Sequence, residues 1–356
     1  MQGLAFFDHF DRRRKERGEQ SESMMSHKGQ ELRISRLESG GLITNYSCTS
    51  RCGHCLYCCS PRREREYIDE ETIRKNLETI KGLGCHSIHI GGGEPFLDLA
   101  GLKRVIEIAR DMRVGVEYVE TNSSWYRSKE SACAVLRELK SAGLSNLLVS
   151  MSPFHNEFIP LSKVKGVSEA CLVAGIGAFP WIKDFFREID SFDDSIPHKM
   201  SEYHGKFGED YLGKIPSRYW IHLGGRALTT FRDVLRTTDY EGILSSSKSG
   251  CSELLDVSHF HLDLFGNYIP GLCSGLAIKR DDLGKPIKPE EYPFLSILFK
   301  VGINGLFGVA VKSYKFEPEE NYLSKCHLCS EIRRHLVIEK GVETRELQPR
   351  GYYENP

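Results

Sequence analysis

From Leu42 onward the chain alternates between short apolar runs and stretches in which apolar residues recur every three or four positions. The runs Leu42–Tyr46, His86–Ile90, Val114–Val119, Asn146–Met151 and Ile176–Trp181 have strand length and composition, and Trp220–Leu223 is a last candidate. Between them lie helical periods. Asp69 is placed to cap a helix carrying Ile73, Leu77 and Ile80, with Gly82 as its stop. Leu102, Val105, Ile106 and Ala109 mark a second helix, and Ala132, Val135, Leu136 and Leu139 a third, closed by Gly143. Val164–Ala174 reads as a fourth. A β-α repeat sustained about six times predicts a parallel sheet with helical crossovers. Polar and glycine residues fall repeatedly at the strand ends: Cys48, Gly91–Glu94, Thr121-Asn122, Ser150–Ser152 and Gly224–Arg226. That edge is where parallel α/β folds place their sites. Periodicity alone leaves an open sheet and a full or partial barrel as alternatives.

The repeat fades near residue 232, which divides the chain into three expected parts. Residues 1–40 are a charged extension, 41–231 the α/β unit, and 232–356 a smaller α+β module. Composition changes this picture little. Across 356 residues, 40% are hydrophobic and 27% charged, as in globular proteins, and the net charge of -1 offers no pull on nucleic acid. No apolar stretch is long enough to span a bilayer, and the start lacks an export signal, so a cytoplasmic setting without membrane contact is expected.

The twelve cysteines change it more. In a reducing compartment, clustered cysteines point to metal rather than to disulfides. Cys48, Cys52 and Cys55 form CxxxCxxC on one loop directly after the first strand. Three thiolates can hold a [4Fe–4S] cluster with one iron left open, whereas a fourth from Cys58 would complete a zinc site. Cys58 and Cys59 otherwise suit packing or hydrogen bonding to sulfur. Cys85, Cys133 and Cys171 read as buried apolar residues. A second group, Cys251, Cys273 and Cys326-x-x-Cys329, flanks a hairpin signalled by Gly266-Asn267 and sits at a helix start. Four cysteines fit one further [4Fe–4S] cluster or one structural zinc.

The cysteine loop after the first strand, followed by Gly-Gly-Gly-Glu-Pro after the second, resembles the radical S-adenosylmethionine superfamily over about residues 41–230. The resemblance implies a partial (β/α)6 TIM-like barrel with cluster ligands Cys48, Cys52 and Cys55. It places His54 beside the adenine and Gly92, Gly93, Glu94 and Pro95 at the methionyl amino group. Thr121, Asn122, Ser150, Ser152 and Lys163 become candidates for the remaining polar groups of the cofactor, with local strand capping as their other reading. Three glycines before Glu94 would let the backbone approach the ligand closely. The implied reaction is reductive cleavage of S-adenosylmethionine to a 5′-deoxyadenosyl radical that removes a substrate hydrogen, fed by a flavodoxin- or ferredoxin-type donor.

The later cysteines resemble the Twitch and SPASM auxiliary-cluster domains, the one-cluster Twitch form more closely. A fully ligated auxiliary cluster suits electron transfer, hence net oxidation. The expected function is oxidative modification of a peptide or protein, with His155 as the acid/base candidate. The alternatives are a small-molecule dehydrogenase and a non-catalytic zinc or iron–sulfur protein.

Overall fold

The computed structural model describes residues 31–180, 183–218 and 221–354. The extension up to residue 30, and Trp181 and Trp220 at the margins of two expected strands, lie outside them.

Five β-α steps build the first part. β1 (Gly40–Ile43) leads through the cysteine loop to α1 (Glu70–Gly82), then β2 (Ser87–Gly91), α2 (Leu99–Asp111), β3 (Gly115–Thr121), α3 (Lys129–Ala142), β4 (Asn146–Val149), α4 (Pro153–Asn156), α5 (Leu161–Ala174) and β5 (Gly177–Pro180). The helices begin where the sequence offers caps. Asp69 accepts from the Thr72 N–H at 2.7 Å, Asp98 from Gly101 at 2.9 Å, and Ser128 forms a reciprocal box with Ser131. Each such cap is worth about 1 kcal/mol. Ile73, Leu77 and Ile80 of α1, with Leu102, Val105 and Ala109 of α2, are fully buried against the sheet.

All strands from β1 to β5 pair in parallel, in the order β5-β4-β3-β2-β1. This is the expected α/β architecture of a partial barrel. Its sixth parallel strand, however, does not come from Trp220–Leu223. Residues 221–223 have no regular structure, and helices α6 (Phe186–Ile189), α7 (Met200–Phe207), α8 (Tyr211–Arg218) and α9 (Ala227–Phe231) fill residues 186–231 around them. The sixth strand is β7 (Phe260–Asp263), which pairs in parallel with the other side of β1. It continues antiparallel into β8 (Asn267–Ile269) and β9 (Ile278–Lys279), giving one eight-stranded sheet.

The first strand also starts earlier than the pattern suggests. Gly40 and Gly41 precede the expected strand, yet both are in β1, where neighbours on either side leave no room for a side chain. A Cβ on Gly40 would sit 2.2 Å from the Phe260 carbonyl oxygen, and one on Gly41 2.4 Å from that of His89.

Between β5 and the hairpin strand β7 run β6 (Thr238–Asp239) and α10 (Tyr240–Ser246). After β9 come α11 (Pro293–Val301), α12 (Ile303–Tyr314), β10 (Asn321–Tyr322), α13 (Lys325–Arg334) and α14 (Arg350–Glu354). The C-terminal segment is bonded to the barrel at polar points too. Asp263 at the end of β7 accepts from Tyr46 in the cysteine loop at 2.9 Å, and its carbonyl accepts from Asn76 of α1 at 3.1 Å.

Candidate iron–sulfur and cofactor site

The cysteine loop closes on itself. Ser47 and Ser60 form a single parallel bridge, Cys48 N–H donates to the Ser60 carbonyl at 3.2 Å, and Cys55 N–H to Cys52 at 3.1 Å. Cys48 and Cys52 are buried and Cys55 half-buried. Donors already point at the sulfurs. Cys48 Sγ faces the Ser50 N–H at 3.4 Å and Asn122 Nδ2 at 3.5 Å, and Cys55 Sγ faces the Cys59 N–H at 3.3 Å. Hydrogen bonds to ligand sulfur are a lever that tunes iron–sulfur centres.

Burial pushes the Cys48 thiol up to about 12 and the Cys52 thiol well above the usual range. Cys55 is held down at about 6, chiefly by the Cys59 thiol bonded to it. Cys59 is therefore a sulfur-supporting residue, as its place outside the three-ligand spacing suggested. Cys58, also buried, sits in the left-handed region at φ 52.

Gly92 and Gly93 are packed tightly against the cysteine loop. A Cβ on Gly93 would fall 1.9 Å from the Ser47 carbonyl oxygen, and one on Gly92 2.6 Å from that of Asn45. Their backbones are pressed on the cysteine loop, with Gly93 N–H donating to Asn45 at 2.8 Å and Glu94 N–H to Ser47 at 3.0 Å. The glycines thus join the two motifs to each other. Pro95 is buried at the start of the 3₁₀ turn that follows.

Glu94 extends the junction to β3. Its buried carboxylate accepts from the Asn122 N–H at 2.7 Å, the Thr121 hydroxyl at 3.0 Å and the Phe96 N–H at 3.1 Å. Thr121 also accepts from the Trp125 indole, and Asn122 Nδ2 from β3's end reaches Thr49 and Ser50 as well as Cys48. Both residues are engaged in holding the strand ends together. Lys163 Nζ donates to the Ser124 carbonyl at 2.9 Å, and Ser150 N–H to Thr121. Ser152 caps α4, its hydroxyl 2.8 Å from His155 Nδ1.

His54 is buried and stacks on Phe154 at 4.7 Å, edge-on to His155 at 4.9 Å. Burial holds His155 down at about 4 and His54 well below the usual histidine range. Burial thus favours the neutral imidazole at both positions. An open groove of about 540 Å³ runs beside β5, lined in part by Met151, Lys165, Glu169, Phe179 and Arg187.

The second cysteine group also converges. Cys251 lies before a short 3₁₀ turn, Cys273 after the hairpin, and Cys326 and Cys329 near the start of α13, where Ser324 caps the helix. The thiols sense one another: burial first, then Cys329 and Cys326, pushes Cys251 up to about 12. Burial, then Cys251 and Cys326, raises Cys273 well above its usual value. Among the described residues, no three of these sulfurs, nor of Cys48, Cys52 and Cys55, lie within 4.8 Å of one another. A tetrahedron of Zn–S bonds near 2.3 Å would bring sulfurs to about 3.8 Å.

Two arginines escape the sequence patterns. Arg226, from the Gly224-Gly225-Arg226 turn, reaches back to the Cys52 carbonyl at 2.7 Å and the Cys59 carbonyl at 2.8 Å, while its own N–H donates to Cys55. Arg333 of α13 donates to the Ser274 carbonyl at 2.8 Å and to the Cys329 carbonyl at 3.3 Å. Both are buried, and neither has a carboxylate in salt-bridge reach among the described residues. A buried guanidinium needs a compensating anion. Thiolate-bound clusters supply one, so both donor sets fit an iron–sulfur group. Only the glycine pair before Arg226 marked that position in the sequence.

Residues 42–176 match the Radical SAM superfamily, and that segment is a radical S-adenosylmethionine domain. The superfamily implies a [4Fe–4S] cluster and S-adenosylmethionine as cofactors. Among curated proteins the chain is similar to YydG of Bacillus subtilis, described provisionally as a peptide biosynthesis protein, at 29% identity over 126 residues, 34% of this chain and 38% of that one. It is also similar to an uncharacterized protein of Methanocaldococcus jannaschii, at 31% over 110 residues, 31% and 34% of the two chains. The chain thus spans little more than a third of the length of the curated relatives it matches. Solved structures resembling it include anSMEcpe with AdoMet and a Cp18Cys peptide, at 16% identity, covering 85% of this chain and 97% of that one, TM-score 0.40. BtrN with AdoMet and 2-DOIA follows at 12% identity, 76% and 90% coverage and TM-score 0.39.

Proposed function

We propose that the chain is a radical S-adenosylmethionine enzyme that oxidatively modifies a peptide or protein. Cys48, Cys52 and Cys55 are the three cluster ligands. The observation that carries this is the junction of the two motifs: the cysteine loop and Gly92–Glu94 hydrogen-bond backbone to backbone, so what binds one lies against the other. When bound, the cluster and S-adenosylmethionine supply a carbon radical able to remove a substrate hydrogen.

The chain's own residues hold that chemistry in place. Glu94 locks β2's end to β3's. Asn122, Ser50 and Cys59 direct N–H groups at the ligand sulfurs. Arg226 offsets buried negative charge. His54, Ser150, Ser152 and Lys163 surround the same end of the sheet as cofactor candidates, and His155 is a neutral base within it. Cys251, Cys273, Cys326 and Cys329 are the ligands of a Twitch-like auxiliary [4Fe–4S] cluster in the segment 232–356, whose electron-accepting role suits oxidation. The peptide substrate class rests on the likeness to YydG, and the donor is of the flavodoxin or ferredoxin type.

Anaerobic reconstitution tests the reading. About eight iron per chain, from two four-iron centres, is expected together with 5′-deoxyadenosine on reduction. Mass spectrometry of peptides encoded beside the gene, incubated with reduced enzyme and S-adenosylmethionine, should show loss of two hydrogens. Zinc without cleavage would refute the enzyme. Cleavage with turnover of a small molecule and no peptide would refute the substrate class.

A further inference from the structure

We propose that His89, His259 and His261 bind one divalent transition-metal ion on the inner face of the barrel, using no cysteine sulfur. The register builds this site. On β1, Gly41 is the Cα partner of His89 on β2 and also of His261 on β7. The two histidines therefore leave the sheet on one face, on either side of a residue without a side chain. A Cβ on Gly41 would meet the His89 ring at 2.7 Å. Across that gap the two Nε2 atoms face each other at 2.9 Å. His259 lies in the bend just before β7, two residues ahead of His261, and its ring turns to the same pair. Its ring stacks on His89 at 5.2 Å and meets His261 edge-on at 4.9 Å.

One ligand atom from each histidine lies within 4.8 Å of the other two, and no other group among the described residues meets that criterion. The outer side of the site is also built. Tyr57 Oη holds His261 Nδ1 at 2.7 Å, and the Gly40 backbone accepts from the His89 ring. Metal-binding histidines characteristically have such outer partners, which fix tautomer and ring orientation. Hydrogen bonding from Tyr57 through His261 to His89 would occupy two of the three rings without metal.

Three imidazoles and no thiolate favour zinc, ferrous iron, cobalt, nickel or copper over magnesium or calcium. With metal–nitrogen bonds near 2.0–2.1 Å, the nitrogens of a tetrahedral site stand about 3.3 Å apart. The 2.9 Å pair must therefore open slightly, and the proton between the two Nε2 atoms moves to His261 Nδ1, where the Tyr57 oxygen accepts it. Three protein ligands leave a position open. Tyr118 stacks on His89 at 5.1 Å and meets Phe179 of the β5 groove at 5.5 Å. The site thus stands one aromatic layer behind that groove.

The test uses the full chain with its cysteines first loaded with iron, then titrated anaerobically with Co²⁺. The expected result is one cobalt per chain with weak d–d absorption and no sulfur-to-cobalt charge-transfer band. His259→Gln and His261→Gln should each weaken binding by at least about 100-fold while iron content stays unchanged. No cobalt uptake, a thiolate band in the wild-type-minus-variant difference spectrum, or undiminished binding in His259→Gln would overturn the proposal. The iron count reports separately on the cysteine reading, so failure of either is recognised without the other.

Discussion

The two cysteine groups are built on opposite plans. The first occupies one short loop, and its surroundings are fixed by sheet register: β1 ends into it, β2's end presses on it through Gly93, and β3's end reaches its sulfur through Asn122. The second is gathered from three separate segments, with Cys251 and Cys273 in irregular turns and Cys326 and Cys329 on α13. A local loop can be positioned by hydrogen bonds with its neighbours. A dispersed set depends on how whole elements pack. What the two share is a buried arginine bonded to backbone carbonyls of the ligand segments. The comparison separates a requirement of the ligand, which is charge, from the requirements of each scaffold.

Removing a ligand from each group should split the comparison most widely. Cys52→Ala leaves two of the three proposed ligands on the first loop, and 5′-deoxyadenosine formation is expected to fall by at least about 1,000-fold, the scale of about 4 kcal/mol in a barrier. Iron should fall from about eight to about four per chain. Cys329→Ala should lose a similar amount of iron yet retain S-adenosylmethionine cleavage, with oxidised product lost. Chromatography of both products on one sample decides it. Equal loss of cleavage in the two variants would make the groups a single functional unit.

The arginine clamps give the next largest effect. Arg226→Ala and Arg333→Ala each remove charged hydrogen bonds to two carbonyls, at about 3 kcal/mol by denaturant melts. The iron lost should differ in place. Arg226→Ala should release the first cluster during gel filtration, and Arg333→Ala the second, followed by their distinct electron paramagnetic resonance signals. Lysine at either position keeps the charge but not the two-pronged reach, so partial retention is expected.

The first group was largely legible in the sequence because its determinants are local. Spacing, the preceding strand and the glycine run all lie in short windows, and each corresponds to an element in the fold. The caps at Asp69 and the hairpin at Gly266-Asn267 were legible for the same reason. Long-range pairing was not. Nothing in Phe260–Asp263 states that it will add to the far side of β1, so the sixth strand was sought at Trp220–Leu223. That one displaced strand also concealed the histidine trio, since His89 is distant in sequence from His259 and His261 and is brought to His261 through the shared partner Gly41. Arg333 was hidden similarly, since a lone arginine carries no periodicity, whereas Arg226 was marked only by its place at an expected strand end.

Glu94 offers the smallest but most specific way to sharpen the contrast, because its carboxylate stitches the first site to β3. Burial pushes its carboxyl up to about 7, against the lowering effect of the Asn122, Phe96 and Thr121 donors. The folded value thus lies above the unfolded one of about 4.3. Stability from this group is fully present below about pH 4.3 and is lost as pH rises through about 7. The wild type should therefore lose on the order of 3 kcal/mol across that window relative to a chain lacking the ionisable group. Glu94→Gln is that chain. It removes the titration but turns an amide N–H₂ toward one of the existing donors, so it should be less stable than wild type at pH 5 by about 2 kcal/mol. By pH 8 the gap should narrow or reverse. Urea melts at both pH values measure it, and a gap independent of pH would show that Glu94 is already ionised at little cost.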